Sequence, residues 1–130
     1  MFGDKTLIGQ FDVSTDDKGR MFIPSKFNSE VGDNLVLMYD DAIDAYKLYN
    51  IKTFEDKIKY LLNLVEESKT ESEKRERSIL LQKFWKQVLL ECSADKQRRI
   101  SLSQVFEKHE ELFLCGAGDH VIIERKNHKK

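Results

Sequence analysis

A single proline, a single tryptophan and two cysteines occur in the 130 residues. The cysteines, Cys92 and Cys115, stand 23 positions apart with no histidine or cysteine at metal-ligand spacing, so they read as reduced, buried thiols rather than a disulfide framework or a metal site. Long apolar runs are missing as well. No stretch approaches the ~20 residues a membrane helix needs. The N-terminus, with Asp4 and Lys5 close together, lacks the shape of a signal peptide, and the expected location is the cytoplasm. Positive charge is not in surplus either: 22 Lys and Arg meet 23 Asp and Glu, for a net charge of −1. A whole surface that attracts polyanions is thereby excluded. The balance is uneven, at −4 over residues 1–50, +2 over 51–90 and +1 over 91–130. Any phosphate-binding surface must be local. It is confined to Lys18, Arg20, Lys96, Arg98 and Arg99, with the tail Arg125, Lys126, Lys129 and Lys130 as a second candidate.

What the chain does contain is one pattern written twice. From Thr15 it reads TDDKGRMFIPSKF and from Ala94 it reads ADKQRRISLSQVF. Asp16 falls on Asp95, Lys18 on Gln97, Arg20 on Arg99 and Phe27 on Phe106, at a constant offset of 79. Each copy has a short polar loop with an acid at its start and a cation at its end. Three residues follow with apolar ones first and third, then a switch towards helix, which predicts a hairpin and a helix start. Further on, Leu35-Val36-Leu37 answers Leu112-Phe113-Leu114, and Ala45-Tyr46-Lys47-Leu48 answers His120-Val121-Ile122-Ile123.

The stretch IGQFDVSTDDKGRMFIPSKF, with its degenerate second copy, resembles the MraZ family of bacterial transcriptional regulators, whose mark is a repeated D-x-x-x-R loop, typically D-x-K-G-R, followed by an apolar-x-apolar-Pro step. In the first copy Asp16, Lys18, Gly19, Arg20 and Pro24 all match. The second keeps Asp95 and Arg99 but has Arg98 where the family has glycine and Ser103 where it often has proline.

Along the chain, alternation of Phe11, Val13 and Thr15 against Gln10, Asp12 and Ser14 from Ile8 on predicts a half-buried strand. Gly19 allows the positive φ of a tight loop, and Arg20 opens the return strand. Pro24 suits the first turn of a helix from Ser25 to Val31 that Gly32 ends. A second hairpin is expected from Leu35–Tyr39 and Ala45–Tyr49. Phe54, Ile58, Leu61, Leu62 and Val65 then recur at helical spacing, with Thr53 as the expected cap and Lys57, Lys59 and Glu66 facing outward. The charged segment from Ser68 to Arg77 reads as a connector. Thr70 and Glu73 form a capping box for a second helix carrying Ile79, Leu80, Phe84 and Trp85. The second copy follows: strand Val88 to Ser93, loop Asp95 to Arg98, strand Arg99 to Leu102, helix Ser103 to His109, and strands Leu112 to Cys115 and His120 to Glu124.

Catalytic chemistry finds no motif. Asp16, Asp17, Asp40, Asp41 and Asp44 are dense, but no His or Glu accompanies them at ligand spacing, and turn chemistry explains them more simply than a metal-dependent nuclease. Gly116-Ala117-Gly118 has no helix after it, and His109, His120 and His128 have no serine or cysteine partner in a recognisable motif. No catalytic residue, metal or cofactor is therefore assigned, and no small-molecule substrate or membrane partner. An arginine at the mouth of a tight loop, with a carboxylate four residues earlier, is another matter. It presents a preordered fork to phosphate or to a guanine edge. Lys18, Arg20, Arg98 and Arg99 are the candidate DNA-binding residues, and Asp16, Gly19 and Asp95 the candidate loop-orienting ones.

Together these readings give an α+β chain: a first AbrB-like repeat over residues 1–50, a helical hairpin over 51–86 and a second repeat over 87–130. The resemblance implies two swapped-hairpin AbrB-type units forming a double-split β-barrel. It further implies a sequence-specific regulator that binds double-stranded DNA at tandem promoter repeats of its own cell-division and cell-wall operon, assembled as a homo-oligomeric ring and associated with the nucleoid. Two other classes remain open at this point: an AbrB-like antitoxin or transition-state regulator that binds DNA as a dimer, and a non-catalytic oligomeric interaction module.

Overall fold

A computed structural model describes residues 7–27 and 31–126. Asp4 and Lys5 near the N-terminus and the tail cations Lys129 and Lys130 lie outside the described residues. The elements run β1 (Gln10–Ser14), β2 (Arg20–Phe22), a 3-10 turn (Ser25–Phe27), β3 (Asn34–Asp40), β4 (Ala45–Asn50), α1 (Ile51–Glu66), α2 (Glu71–Lys86), β5 (Val88–Ser93), β6 (Arg99–Ser101), β7 (Glu111–Gly116) and β8 (Val121–Arg125). The fold is α+β, with antiparallel pairing throughout.

Six strands form one sheet in the order β1-β7-β8-β4-β3-β5, and β2 and β6 form a separate two-stranded ribbon. Exchanging each strand of the first half for its counterpart in the second reverses that order onto itself. The registers obey the same exchange: Phe11 faces Leu114 and Val13 faces Leu112, while Leu90 faces Leu37 and Cys92 faces Leu35. The simple hairpin expected across the first loop is therefore not what forms. The loop is closed by its own backbone bonds, but β1 leaves to pair with β7 and β2 to pair with β6, and the second loop does the same with β5 and β6. Each half completes its sheet with strands of the other, so neither half buries its apolar residues alone.

The core lies between the sheet and the ribbon. Met21 and Ile100, paired across the ribbon, are fully buried with Phe27, Phe106, Leu35, Leu37, Leu48, Leu112, Leu114 and Ile123. At ~1.5–3 kcal/mol for each large apolar side chain removed from water, this layer is the main favourable term in folding. A second, smaller cluster of Val36, Met38, Tyr49 and Phe54 sits on the other face of β3 and β4 beneath the helices. Phe54 stacks on Phe84 at 5.5 Å and meets Trp85 edge-on at 5.6 Å. No helix among the described residues is long and apolar enough to cross a membrane.

Several local expectations are corrected. Helix α1 starts directly out of β4, and its cap is Asn50, whose Oδ1 accepts from Lys52 N at 2.7 Å, not Thr53. Leu62 of the expected apolar stripe is exposed, and Lys57 reaches Asp119 at 3.4 Å. The charged stretch read as a connector after Ser68 is itself mostly helical, because α2 begins at Glu71 with Thr70 as its cap, as the capping box leads one to expect. Its N-terminus has Thr70 Oγ1 accepting from Glu73 N at 3.0 Å while Glu73 accepts from Lys69 N at 2.8 Å. The helix expected from Ser103 to His109 does not form. Val105 N and Phe106 N both donate to Leu102 O, making one turn, and then Thr15 interrupts. Its buried hydroxyl donates to Glu107 O at 2.5 Å and accepts from Glu110 N at 2.8 Å, taking the groups a second helical turn would use. In the first copy the 3-10 turn is closed by Phe27 N donating to Pro24 O, and residues 28–30 of the expected helix lie outside the described residues.

Candidate nucleic-acid interface

The two loops are the same object built twice. Asp16 Oδ1 accepts from Lys18 N at 2.9 Å and Arg20 N at 2.8 Å, while its Oδ2 accepts from Arg20 Nε at 2.8 Å. Asp95 Oδ1 accepts from Gln97 N at 2.9 Å and Arg99 N at 2.8 Å, and its Oδ2 from Arg99 Nε at 2.8 Å. One carboxylate thus folds the loop with one oxygen and orients the guanidinium with the other. The bonds to the ionised form, led by the backbone bond from Arg20, hold the Asp16 carboxyl down at about 2. The corresponding bond from Arg99 N leads in lowering Asp95. Because only Nε is bound, the terminal nitrogens of Arg20 and Arg99 make no hydrogen bond among the described residues. Each fork remains available for a two-pronged acceptor.

The loops lock onto each other's copy. Leu102 N donates to Gly19 O at 3.0 Å and, reciprocally, Ile23 N donates to Arg98 O at 2.9 Å. A Cβ on Gly19 would lie 2.8 Å from Ser103 Cβ and 2.9 Å from its Cα, and the Gly19 φ of +74° is left-handed, so this position suits glycine alone.

Lys18 projects from the exposed tip of the first loop. Arg98 takes a different course from its neighbours. It adopts the left-handed φ of 62° at the place where Gly19 stands in the first loop, and its guanidinium turns to the Asp33 carboxylate and to Gly32 O, the latter at 2.7 Å. The structure thus brings Arg20 and Arg99 onto one outward face and ties Arg98 back to the segment before β3. Lys96 stays on the exposed tip of the second loop. In the tail, Arg125 is turned inward. It donates to Glu110 at 2.9 Å and Val105 O at 2.9 Å and lies over the Phe106 ring at 5.1 Å, while Lys126 pairs with Asp12 at 3.3 Å. The aspartates that raised the nuclease reading are likewise engaged in turns. Asp40 bridges Lys47 at 2.9 Å and caps Ala42 N at 3.0 Å, and Tyr39 OH donates to Asp44 at 2.5 Å. Among the described residues no three His, Cys, Asp or Glu side chains converge as metal ligands would.

Two residues of this surface escaped the sequence reading. Asp33, the partner of Arg98, carries no local signal because 65 positions separate the two. Phe22 stands at the middle position of the apolar-x-apolar step, to which the pattern assigns no role; it points outward with half its surface exposed, whereas Met21 beside it is fully buried. The signal was present: its counterpart in the second copy is Ser101, a polar residue that marks an outward position.

No family model matches the chain. Among curated proteins it is similar to the protein named transcriptional regulator MraZ of Caldicellulosiruptor saccharolyticus, at 31% identity over 123 residues, covering 90% of this chain and 79% of the relative. The MraZ of Pediococcus pentosaceus is 30% identical over 126 residues, covering 92% of this chain and 81% of the relative. That of Caldanaerobacter subterraneus subsp. tengcongensis is 32% identical over 105 residues, which span 79% of this chain and 66% of that relative, just under two thirds of its length.

Proposed function

Because this chain belongs to the MraZ family of transcriptional regulators, we propose that it is a sequence-specific DNA-binding regulator whose two arginine loops engage double-stranded DNA. The observation that carries this reading is the pair of guanidinium forks, Arg20 and Arg99, each fixed at Nε by a carboxylate four residues earlier and each with its terminal nitrogens free among the described residues. A guanidinium whose rotamers are already restricted loses little freedom on docking and matches either the O6 and N7 acceptors of guanine or the oxygens of a phosphate. Lys18 adds a phosphate contact at the first loop. Arg98 acts through Asp33 to hold the second loop, while Asp16, Gly19 and Asp95 shape the loops.

The finer reading has the palindromic strand order as a double-split barrel of two swapped-hairpin units, residues 1–50 and 87–130, with residues 51–86 as a helical insertion. The targets are tandem short repeats upstream of a cell-division and cell-wall operon, bound by a homo-oligomeric ring. The physics favours assembly, since a subunit with two to four engaged cations and no net positive charge binds DNA weakly in physiological salt, whereas linked sites gain ~10²–10⁴ in avidity. Exposed Tyr60, Leu62, Ile79, Leu80 and Trp85 on the helical hairpin supply apolar surface for such contacts. The test is a gel shift with the region upstream of the chain's own coding sequence, run beside size exclusion with light scattering. Retarded, salt-sensitive complexes from a species larger than a dimer are expected. A protein that oligomerises without retarding DNA would be an interaction module instead.

A further inference from the structure

We infer that Phe22 is a specificity-determining residue that reads the 5-methyl group of thymine in the major groove, an inference that rests on the DNA-binding reading of the loops. In the β2–β6 ribbon, Arg20 faces Ser101, Met21 faces Ile100 and Phe22 faces Arg99. Cross-strand partners share a face, as do residues two apart. Met21 and Ile100 are 0% exposed, so they form the inner face. Arg20, Phe22, Arg99 and Ser101 therefore make up the outer one.

Phe22 is the large apolar side chain on that outer face, 51% exposed and set between two oriented arginines. The Arg99 guanidinium, held by Asp95, lies 6.0 Å from the centre of its ring, at the outer limit of a cation–π contact, and covers one side of it.

The occupant follows from the chemistry of the neighbours. Two cationic forks beside a phenyl ring repel a cationic partner and suit a polyanion that also carries apolar groups. Duplex DNA carries one such group on its readable edge, the thymine methyl, in a groove that admits a two-stranded ribbon. Two residues along a strand advance ~6.6 Å and two base steps ~6.8 Å, so Arg20 and Phe22 on one strand are spaced to reach a guanine and a thymine two steps apart. Ser101, the counterpart of Phe22, is too short to cover a methyl group. The contact thus belongs to one end of the ribbon only, and the pseudo-symmetric surface reads its target asymmetrically.

The experiment amplifies the chain's own upstream region once with dTTP and once with dUTP and measures binding of both duplexes by the unaltered protein, Phe22→Ser and Arg20→Ala. Phe22→Ser places at this exposed position the residue its counterpart already has, so it folds. The unaltered protein is expected to bind the uracil duplex at least about fourfold more weakly, the effect of one buried methyl. Phe22→Ser is expected to bind the thymine duplex about tenfold more weakly and to treat the two duplexes alike within twofold. Equal binding of both duplexes by the unaltered protein, or a thymine preference that survives Phe22→Ser, overturns the inference and leaves the arginine reading standing. A smaller assembly of Phe22→Ser on light scattering also overturns it, by assigning Phe22 to a subunit contact. If the unaltered protein binds neither duplex, or Arg20→Ala binds as well as it does, the DNA-binding reading itself has failed.

Discussion

Gly19 and Arg98 occupy equivalent places in the two loops and share one backbone conformation, with φ of 74° and 62°. The loop requires a left-handed residue there, and one copy meets the requirement with glycine. The other holds an arginine in it, and the contacts of that arginine with Asp33 and Gly32 O offset a conformational cost of ~1–2 kcal/mol.

Gly19→Ala should destabilise the protein by about 1–3 kcal/mol, because the new methyl meets both Cβ and backbone of Ser103 and the left-handed φ disfavours any side chain. Urea unfolding at neutral pH measures it. DNA affinity should fall as well, since displacing the loop moves Arg20. A variant of unchanged midpoint would mean that the loop can move away from Ser103 without cost.

Asp16 sets a pH window. Its folded value of about 2 lies below its ordinary 3.8, so the ionised form is favoured by folding. Its stabilising contribution is therefore present above about pH 4 and is lost as the pH falls from there towards 2. The urea midpoint of the unaltered protein should drop over that interval. Asp16→Asn should have a lower midpoint at pH 7 and a shallower fall on the acid side, and parallel pH profiles would contradict this assignment.

Arg20 and Arg99 should differ in kind. The first loop combines Lys18 and Arg20 with a glycine that lets the backbone approach phosphate, whereas the second carries Gln97 at its tip and an arginine in the glycine position. Arg20→Ala should erase discrimination between the upstream region and scrambled duplex. Arg99→Ala should weaken both by similar factors and make the salt dependence shallower by about one unit or less per subunit engaged. Affinities at several salt concentrations decide it, and the reverse pattern would exchange the roles.

On the helical hairpin, Leu80 and Trp85 are at least half exposed, and no residue of α2 is fully buried. Leu80→Asp should lower the mass of the assembly on light scattering while shifting the unfolding midpoint of the subunit by less than about 0.5 kcal/mol, as surface substitutions do. Phe54→Ala, which empties the cluster beneath the helices, should instead cost about 3–5 kcal/mol. An unchanged mass for Leu80→Asp would place the subunit contact elsewhere.

Features that depend on neighbours a few positions apart were legible in the sequence. The D-x-x-x-R loop needs only the reach of a carboxylate over four residues, and the carboxylate bonds that shape it all lie within residues 16–20 or 95–99. The same holds for the Thr70 cap and for the alternation that marks the strands. Pairing was another matter. A backbone edge hydrogen-bonds to any strand brought beside it, so nothing local says that β1 joins β7 or that β2 joins β6. That choice buries Met21 and Ile100 together. It also brings Thr15 to the carbonyl of Glu107, where it stops a helix that local pattern favoured, and sets Phe22 on the same outward face as Arg20 and Arg99. The tertiary structure decided these points because core burial selects one strand pairing out of many that the backbone alone would accept.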